Sequence, residues 1–408
     1  MNYNEAKEKL EKYSQSHVLQ YYDDLCDACR NEFLKQIDST DFGVIDTSIK
    51  AMNDKKQSVI TPIKALQLDE INNKKDTYYE TGLKAIKNGE TAAVLLAGGM
   101  GTRLGADGPK GIYDIGETKP KYIFECIINN LMDVTNAAGN FIHLFVMTSD
   151  KNHEVTVSFL KEHNYFGYDE NYIHFFKQEM AVATDTEGKI LLDKKCHMAN
   201  SPNGNGGWFI SLIKSGLINV IKDNNIKWLN VFAVDNVLQR ICDPLFIGAT
   251  IEEGKSCGAK VVKKASPDEK VGVMCLKDGN PSVVEYYELT EELMNTKDEN
   301  GDPAYNFGVI LNYLFDVATL EKISNAALPW HVVSKKVPHL DNNGKLVKPE
   351  EPNAYKYETL ILDMVEMFDS CLPFEVIREK EFAPIKNKTG VDSVDSAREL
   401  LKKNGVTL

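Results

Sequence analysis

A run of glycines and two cations share one short stretch of the chain, LLAGGMGTRLGADGPKG at residues 95–111. Gly98, Gly99, Gly101 and Gly105 follow at once on an apolar run. Glycines there let the backbone take positive φ and let a ligand come close to main-chain N–H groups. Arg103 and Lys110 add permanent positive charge beside the turn. Together these parts describe a phosphate cradle at the C-terminal edge of a sheet, where open α/β folds place their ligands. Two other phosphate patterns do not fit. The dinucleotide motif GxGxxG needs a glycine where Leu104 stands, and the P-loop needs Gly-Lys-Ser/Thr, whereas Lys110 sits between Pro109 and Gly111.

Other residues could serve polyanion chemistry. Asp235 closes the strand-like run WLNVFAVD, again at a strand's C-terminal edge, where open α/β folds place ligands. The ordinary alternative is an aspartate capping the turn after that strand. Gln178 follows YIHFFK, and its amide can both donate and accept. The eight histidines show no HExxH or other ligand spacing. Cys26 and Cys29 form one CxxC, but the second pair that would complete a zinc site is missing nearby.

The elements that must carry these residues are legible from hydrophobic patterning. Residues 1–90 read as helical, with breaks at Ser39-Thr40-Asp41 and near Pro62. Short apolar runs follow at 92–97, 141–149, 172–176, 228–236 and 257–264, with helix-compatible segments between several of them. That alternation predicts a mainly parallel sheet. VGVMCL and SVVEYYEL flank Lys277-Asp278-Gly279-Asn280-Pro281 as a hairpin, and residues 357–368 read as an amphipathic helix. The predicted organisation is an N-terminal helical region (1–90), a catalytic α/β domain (91–370) and a short C-terminal segment (371–408).

Composition limits the function classes. The 408 residues carry 47 basic and 60 acidic side chains, a net charge of −13, with 43% hydrophobic and 26% charged residues. This is the mix of a folded soluble chain. It argues against a general nucleic-acid binder, which needs a basic face. No apolar run approaches the roughly 18 residues of a membrane span, and the polar N-terminus has no signal-like core. Eight scattered cysteines fit reduced thiols, so a cytoplasmic location is expected.

The pattern Gly98-Gly99-x-Gly101-Thr102-x-Leu104-Gly105-x-x-x-Pro109-Lys110 resembles the signature of uridylyl-transferring pyrophosphorylases. Leu96 to Gly99 and Asn203-Gly204-Asn205-Gly206-Gly207 resemble the eukaryotic UDP-N-acetylglucosamine pyrophosphorylases in particular. Val234-Asp235-Asn236, Cys257 to Val262, Val271-Gly272-Val273, Val284-Glu285-Tyr286, Lys335 to Pro338 and Glu381 to Lys386 follow in that family's order.

The resemblance implies a Rossmann-like, glycosyltransferase-A-like nucleotidyltransferase fold, a mixed sheet flanked by helices. It implies UTP and N-acetylglucosamine-1-phosphate as substrates, UDP-N-acetylglucosamine and pyrophosphate as products, and Mg²⁺ as cofactor. It assigns Leu96, Ala97, Gly98, Gly99, Gln178 and Gly204 to the nucleotide. Arg103 and Lys110 fall on the β- and γ-phosphates, Lys356 on the α-phosphate, and Asp235 on Mg²⁺ and the nucleotide. Lys386 would grip the sugar phosphate, and Asn205, Gly272, Glu285, Tyr286 and Asn306 would form the sugar pocket. N-acetylgalactosamine-1-phosphate or glucose-1-phosphate would suit the same chemistry. A UDP-sugar-binding regulator without catalysis is the reading from another class. Larger family members continue into a small, mostly β domain implicated in subunit contacts, so a monomer or weak homodimer is expected.

Overall fold

The computed structural model describes residues 1–53 and 58–408; of the region expected to be helical, residues 54–57 lie outside the described residues. The chain forms two compact units. One comprises residues 1–57, 179–207 and 327–361; the other comprises 58–178, 208–326 and 362–408.

The second unit is built on a sheet of ten strands among the described residues. They are β1 (Ile60–Pro62), β2 (Thr91–Leu96), β3 (Leu144–Thr148), β4 (Ile173–Lys177), β5 (Trp228–Ala233), β6 (Cys257–Lys263), β7 (Val273–Lys277), β8 (Asn280–Val284), β9 (Phe307–Asp316) and β10 (Cys371–Glu375). The main path runs β1-β7-β9-β5-β2-β3-β4; β8 pairs with β7, and β6 bridges β9 and β10. Strands β5, β2, β3 and β4 are mutually parallel. The β1–β7, β7–β9, β9–β5, β6–β9 and β7–β8 pairs are antiparallel. The sheet is therefore mixed, and the mainly parallel sheet expected from the alternation holds for its β5-to-β4 half and for the β6–β10 pair.

β2 shows why that half forms. All six residues of TAAVLL are buried, and parallel neighbours flank the strand on both sides. Its register on β5 pairs Leu96 with Ala233, and that on β3 pairs Leu96 with Met147. Neighbouring strands thus end together and bring their loops to one edge. Helix Ile123–Ala138 packs its apolar stripe into the same core and ends on Gly139 in the left-handed region. The hairpin turn is Asp278-Gly279, with φ of 50° and 87°, the two-residue geometry that twisted strands favour.

The other unit has its own core. Helices Tyr3–Lys12, Asp27–Ser39 and Gly43–Asn53 bury residues such as Leu10, Phe33 and Ile37 against short antiparallel pairs. One pair joins His331–Lys335 to Ala354–Glu358. This corrects the helix expected over 357–368. Tyr357, Ile361, Val365 and Phe368 recur at helical spacing, but Tyr357 pairs with Val332 and its hydroxyl meets Thr184 Oγ1 at 2.7 Å. Helix is confined there to Ile361–Val365. The alternation of Tyr355 and Tyr357 in Ala-Tyr-Lys-Tyr-Glu is the strand signal that the helical spacing masks. The break expected near Pro62 holds the short strand Ile60–Pro62. Among the described residues no helix is long and apolar enough to cross a membrane.

Candidate active site

The glycine-rich turn leaves β2 at Leu96. The Ala97 N–H still donates to Met147 O at 2.8 Å, extending the ladder by one residue. Asn152, wholly buried, then fixes the exit. Its Nδ2 donates to Ala97 O at 2.9 Å, and its Oδ1 accepts from the Ser149 N–H at 2.7 Å. Beyond it the chain closes on itself: Lys110 N donates to Gly99 O at 3.1 Å, and Gly101 N to Gly108 O at 2.8 Å. Leu104 is buried under this loop, while Gly99 and Arg103 face outward. A Cβ on Gly98 would stand 2.8 Å from Gln178 Oε1. Gln178 follows β4 directly and is held by its N–H on Thr148 O at 2.7 Å. Leu96, Ala97, Gly98, Gly99 and Gln178 therefore converge at one strand edge.

Lys110 begins a short 3₁₀ turn after Pro109. Its side chain is only 12% exposed, and Nζ stands 4.0 Å from Asp235 Oδ2. Burial holds the Lys110 ammonium below the usual lysine range; Asp235 opposes that shift, and the positive charges of Arg103 and Lys386 add to it. Arg103, Lys110, Asp235 and Lys386 thus share one electrostatic neighbourhood. Asp235 lies two residues beyond β5, in the turn rather than on the strand.

Lys386 comes from far along the chain. The Ile385 N–H donates to Asp235 O at 2.8 Å, which docks segment 381–386 on the turn after β5. Buried Asn236 holds both chains: its Nδ2 donates to Glu381 O at 2.7 Å, and its Oδ1 accepts from the Ala383 N–H at 2.9 Å. Lys386 Nζ itself lies 3.0 Å from Asp392 Oδ2.

Beneath this dock lies Lys260, on β6 and fully buried. Its ammonium reaches Asp243 Oδ2 at 3.1 Å, Glu381 Oε2 at 2.5 Å and Arg240 O at 3.1 Å. Burial raises the Glu381 carboxyl, while the Lys260 charge opposes that shift. Asn236, Lys260 and Glu381 figure in the sequence only within family landmarks, with no role given, and Asn152 and Asp243 do not figure at all. Lys260 did carry a signal, a lysine inside the apolar run CGAKVV.

The residues assigned to the sugar divide into smaller groups. Gly272 lies beside Glu285: a Cβ there would stand 3.6 Å from Glu285 Oε2, and Gly272 O accepts from the Val309 N–H at 2.8 Å. Glu285 sits just past β8, its N–H donating to Glu288 Oε2 at 3.1 Å. Tyr286 is exposed and packs edge-on against Tyr287. Both Asn306 O and Oδ1 accept from the Lys264 N–H. Gly204, Asn205 and Lys356 belong to the other unit. Gly204 has φ of +88° and faces the Thr359 carbonyl. Asn205 Oδ1 accepts from the Ile361 N–H at 2.9 Å, and Lys356 pairs with Val333 in its strand.

Cations and a carboxylate at the mouth of a glycine turn can bind a polyphosphate and balance charge that moves along it. Among the described residues no group of three or more His, Cys, Asp or Glu side chains is placed to hold a metal. A metal here would have to draw most of its ligands from elsewhere.

Comparison with known proteins gives the same direction. Residues 40–406 match the family described as UTP–glucose-1-phosphate uridylyltransferase. UDP-N-acetylhexosamine pyrophosphorylase-like protein 1 of Mus musculus is 32% identical over 95% of this chain and 81% of its own length. The UDP-N-acetylglucosamine pyrophosphorylase of Saccharomyces cerevisiae is 36% identical over 82% of this chain and 72% of its own. A crystal structure of the UDP-N-acetylglucosamine pyrophosphorylase of Trypanosoma brucei, in complex with an inhibitor, superposes with a TM-score of 0.83. It is 26% identical and covers 97% of this chain and 83% of its own.

Proposed function

The chain belongs to the UTP–glucose-1-phosphate uridylyltransferase family, and from that premise we propose that it transfers uridylyl from UTP to N-acetylglucosamine-1-phosphate, releasing pyrophosphate. The observation that carries this reading is the partly buried ammonium of Lys110 at the mouth of the glycine turn, 4.0 Å from Asp235.

The chemistry asks for little beyond positioning and charge. A sugar phosphate oxygen attacks the α-phosphorus of UTP, the bond to the bridging oxygen breaks, and pyrophosphate leaves on the far side. Phosphate is already a competent nucleophile, so the work is to align two polyanions and neutralise them. The main chain of Leu96 to Gly99 faces the nucleotide, with Gln178 on the base. Arg103 and Lys110 take the charge of the departing pyrophosphate. Lys386, docked on the turn that carries Asp235, holds the attacking phosphate. The family resemblance gives Lys356 the α-phosphate, Gly204 the base, and Asn205, Gly272, Glu285, Tyr286 and Asn306 the sugar.

The donor chemistry fits Mg²⁺. Asp235 is one partly exposed carboxylate beside a polyphosphate cradle, and Mg²⁺ is commonly held by one or two carboxylates plus substrate phosphates and water. Bound there, the ion would supply charge neutralisation on the phosphate oxygens.

The test is pyrophosphate release from a panel of nucleoside triphosphates and sugar 1-phosphates, with and without Mg²⁺. Fastest release with UTP and N-acetylglucosamine-1-phosphate supports the proposal; no release with any sugar 1-phosphate would sink it. A second acceptor, N-acetylgalactosamine-1-phosphate, belongs in the panel because the mouse relative's name specifies only an N-acetylhexosamine.

A further inference from the structure

The Cys26/Cys29 pair takes no part in the chemistry above. Cys26 is the N-cap of helix Asp27–Ser39, and its Sγ accepts from the Cys29 N–H at 3.4 Å. A third thiol reaches the pair from another segment. Cys196 lies in the turn between Leu192–Lys194 and His197–Met198. Gln36, on the same helix, pins that hairpin: its Nε2 donates to Met198 O at 2.9 Å, and its Oε1 accepts from the Met198 N–H at 2.9 Å. That pinning brings the hairpin bearing Cys196 to the helix that bears Cys26 and Cys29. Cys26 is exposed and the other two are half-buried, whereas Cys126, Cys242, Cys257, Cys275 and Cys371 are buried.

We propose that Cys26 and Cys29 form a reversible dithiol–disulfide couple that exchanges with small-molecule disulfides, Cys26 being the attacking sulfur. A CxxC whose first sulfur caps a helix of thirteen residues presents a thiolate to solvent with helix N–H groups behind it. Hydrogen bonds from the Cys29 thiol and N–H lower the Cys26 thiol below its ordinary value. The Cys29 thiol is pushed up to about 11 by the same contact and by Cys196. The roles follow: Cys26 attacks, and Cys29 keeps its proton until Cys26 is capped. Three thiols would also suit a soft metal ion, but no such group among the described residues is placed to hold one.

The exchange balances without a further reagent. The Cys26 thiolate attacks one sulfur of a disulfide RSSR, forming Cys26–S–S–R and releasing RS⁻. Cys29 then loses its proton to solvent and attacks Cys26 Sγ, expelling a second RS⁻. The two cysteines are oxidised to one disulfide, RSSR is reduced to two thiols, and the two protons end on those thiols.

The reduced full chain is incubated with oxidised glutathione, alkylated and mapped by mass spectrometry. We expect a Cys26–Cys29 disulfide with no retained glutathione, undone by dithiothreitol. Cys29→Ser should trap one glutathione on Cys26. At pH 7, Cys26 of the reduced wild type should be alkylated at least about tenfold faster than Cys29. Oxidation confined to other cysteines, a Cys29–Cys196 disulfide in place of Cys26–Cys29, or equal alkylation of Cys26 and Cys29 would each overturn the assignment. The wild-type map decides the matter even if a variant fails to fold.

Discussion

Lys110 Nζ stands 4.0 Å from Asp235 Oδ2, on two loops that leave the neighbouring parallel strands β2 and β5. The strands pair in register to their last residues, Leu96 with Ala233, so the loops leave the sheet side by side. Sheet register thus places a cation and a carboxylate 125 positions apart in sequence at one polyphosphate cradle.

Removing the cation should damage the chemical step rather than the fold. For Lys110→Ala we expect a fall in kcat of about 10²–10³-fold, or ~3–4 kcal/mol of transition-state stabilisation. Thermal stability should hold or rise slightly, because a partly buried ammonium is removed. Steady-state kinetics with a melting curve checks this. An unchanged kcat would take Lys110 out of the mechanism.

Two glycine substitutions should separate binding from folding. At Gly98 an added methyl meets the far end of the Gln178 side chain, which can swing aside, but the methyl then occupies the nucleotide's approach. Gly98→Ala should raise the KM for UTP by about tenfold, or ~1.4 kcal/mol, with little change in Tm. At Gly204 the methyl would lie 2.1 Å from Thr359 O, with φ at +88°. Gly204→Ala should cost at least ~2 kcal/mol of stability, because backbone must move. Chemical denaturation of both variants distinguishes the two effects.

The strand edges and the glycine turn were legible because both are local. Apolar runs ending in glycine mark where a buried strand stops, and Arg103 and Lys110 sit within fifteen residues of that stop. Boundaries slipped where a turn stays apolar: Val234 looks like strand but only leads into the turn that bears Asp235. Tyr357 to Phe368 deceived through spacing, since a strand followed by a short helix can imitate one longer helix. Asn152, Asn236 and Lys260 were not legible as site-builders. Each works by bridging segments that only folding brings together, as Asn236 does for Glu381 and Ala383. The common core of 1–57, 179–207 and 327–361 is likewise a long-range property.

The paired histidines at the outer strands should make stability pH-dependent. His143 Nδ1, just before β3, and His174 Nε2, on β4, lie 2.9 Å apart. Burial, and then the charge of His143, push His174 from 6.5 down to about 4. Between those values the unfolded chain binds more protons than the folded one, so stability falls as pH drops from about 6.5 towards 4. His174→Phe should shrink the difference between denaturation midpoints at pH 7.5 and pH 5 without reversing it. A difference of wild-type size in the variant would show that other groups govern acid sensitivity.

Lys260 should prove the costliest single change outside the cradle. Its ammonium holds Asp243, the N-cap of helix Pro244–Glu252, and Glu381, the first residue of the segment that delivers Lys386. Lys260→Met keeps much of the side-chain volume but leaves two buried carboxylates without their cation. Breaking a buried pair in this way costs about 3–5 kcal/mol, whereas replacing all its members is often close to neutral. Adding Asp243→Asn and Glu381→Gln to Lys260→Met should therefore restore much of the lost stability. If it does, the restored protein also reveals what the network does for catalysis. Segment 381–386 is still tied to Asp235 and Asn236 through the main chain, so UTP binding should survive. Lys386 loses the anchor at the start of its segment, so the KM for the sugar phosphate should rise more than the KM for UTP. Equal effects on both substrates would instead mean that Lys260 supports the whole sheet edge and not the delivery of Lys386.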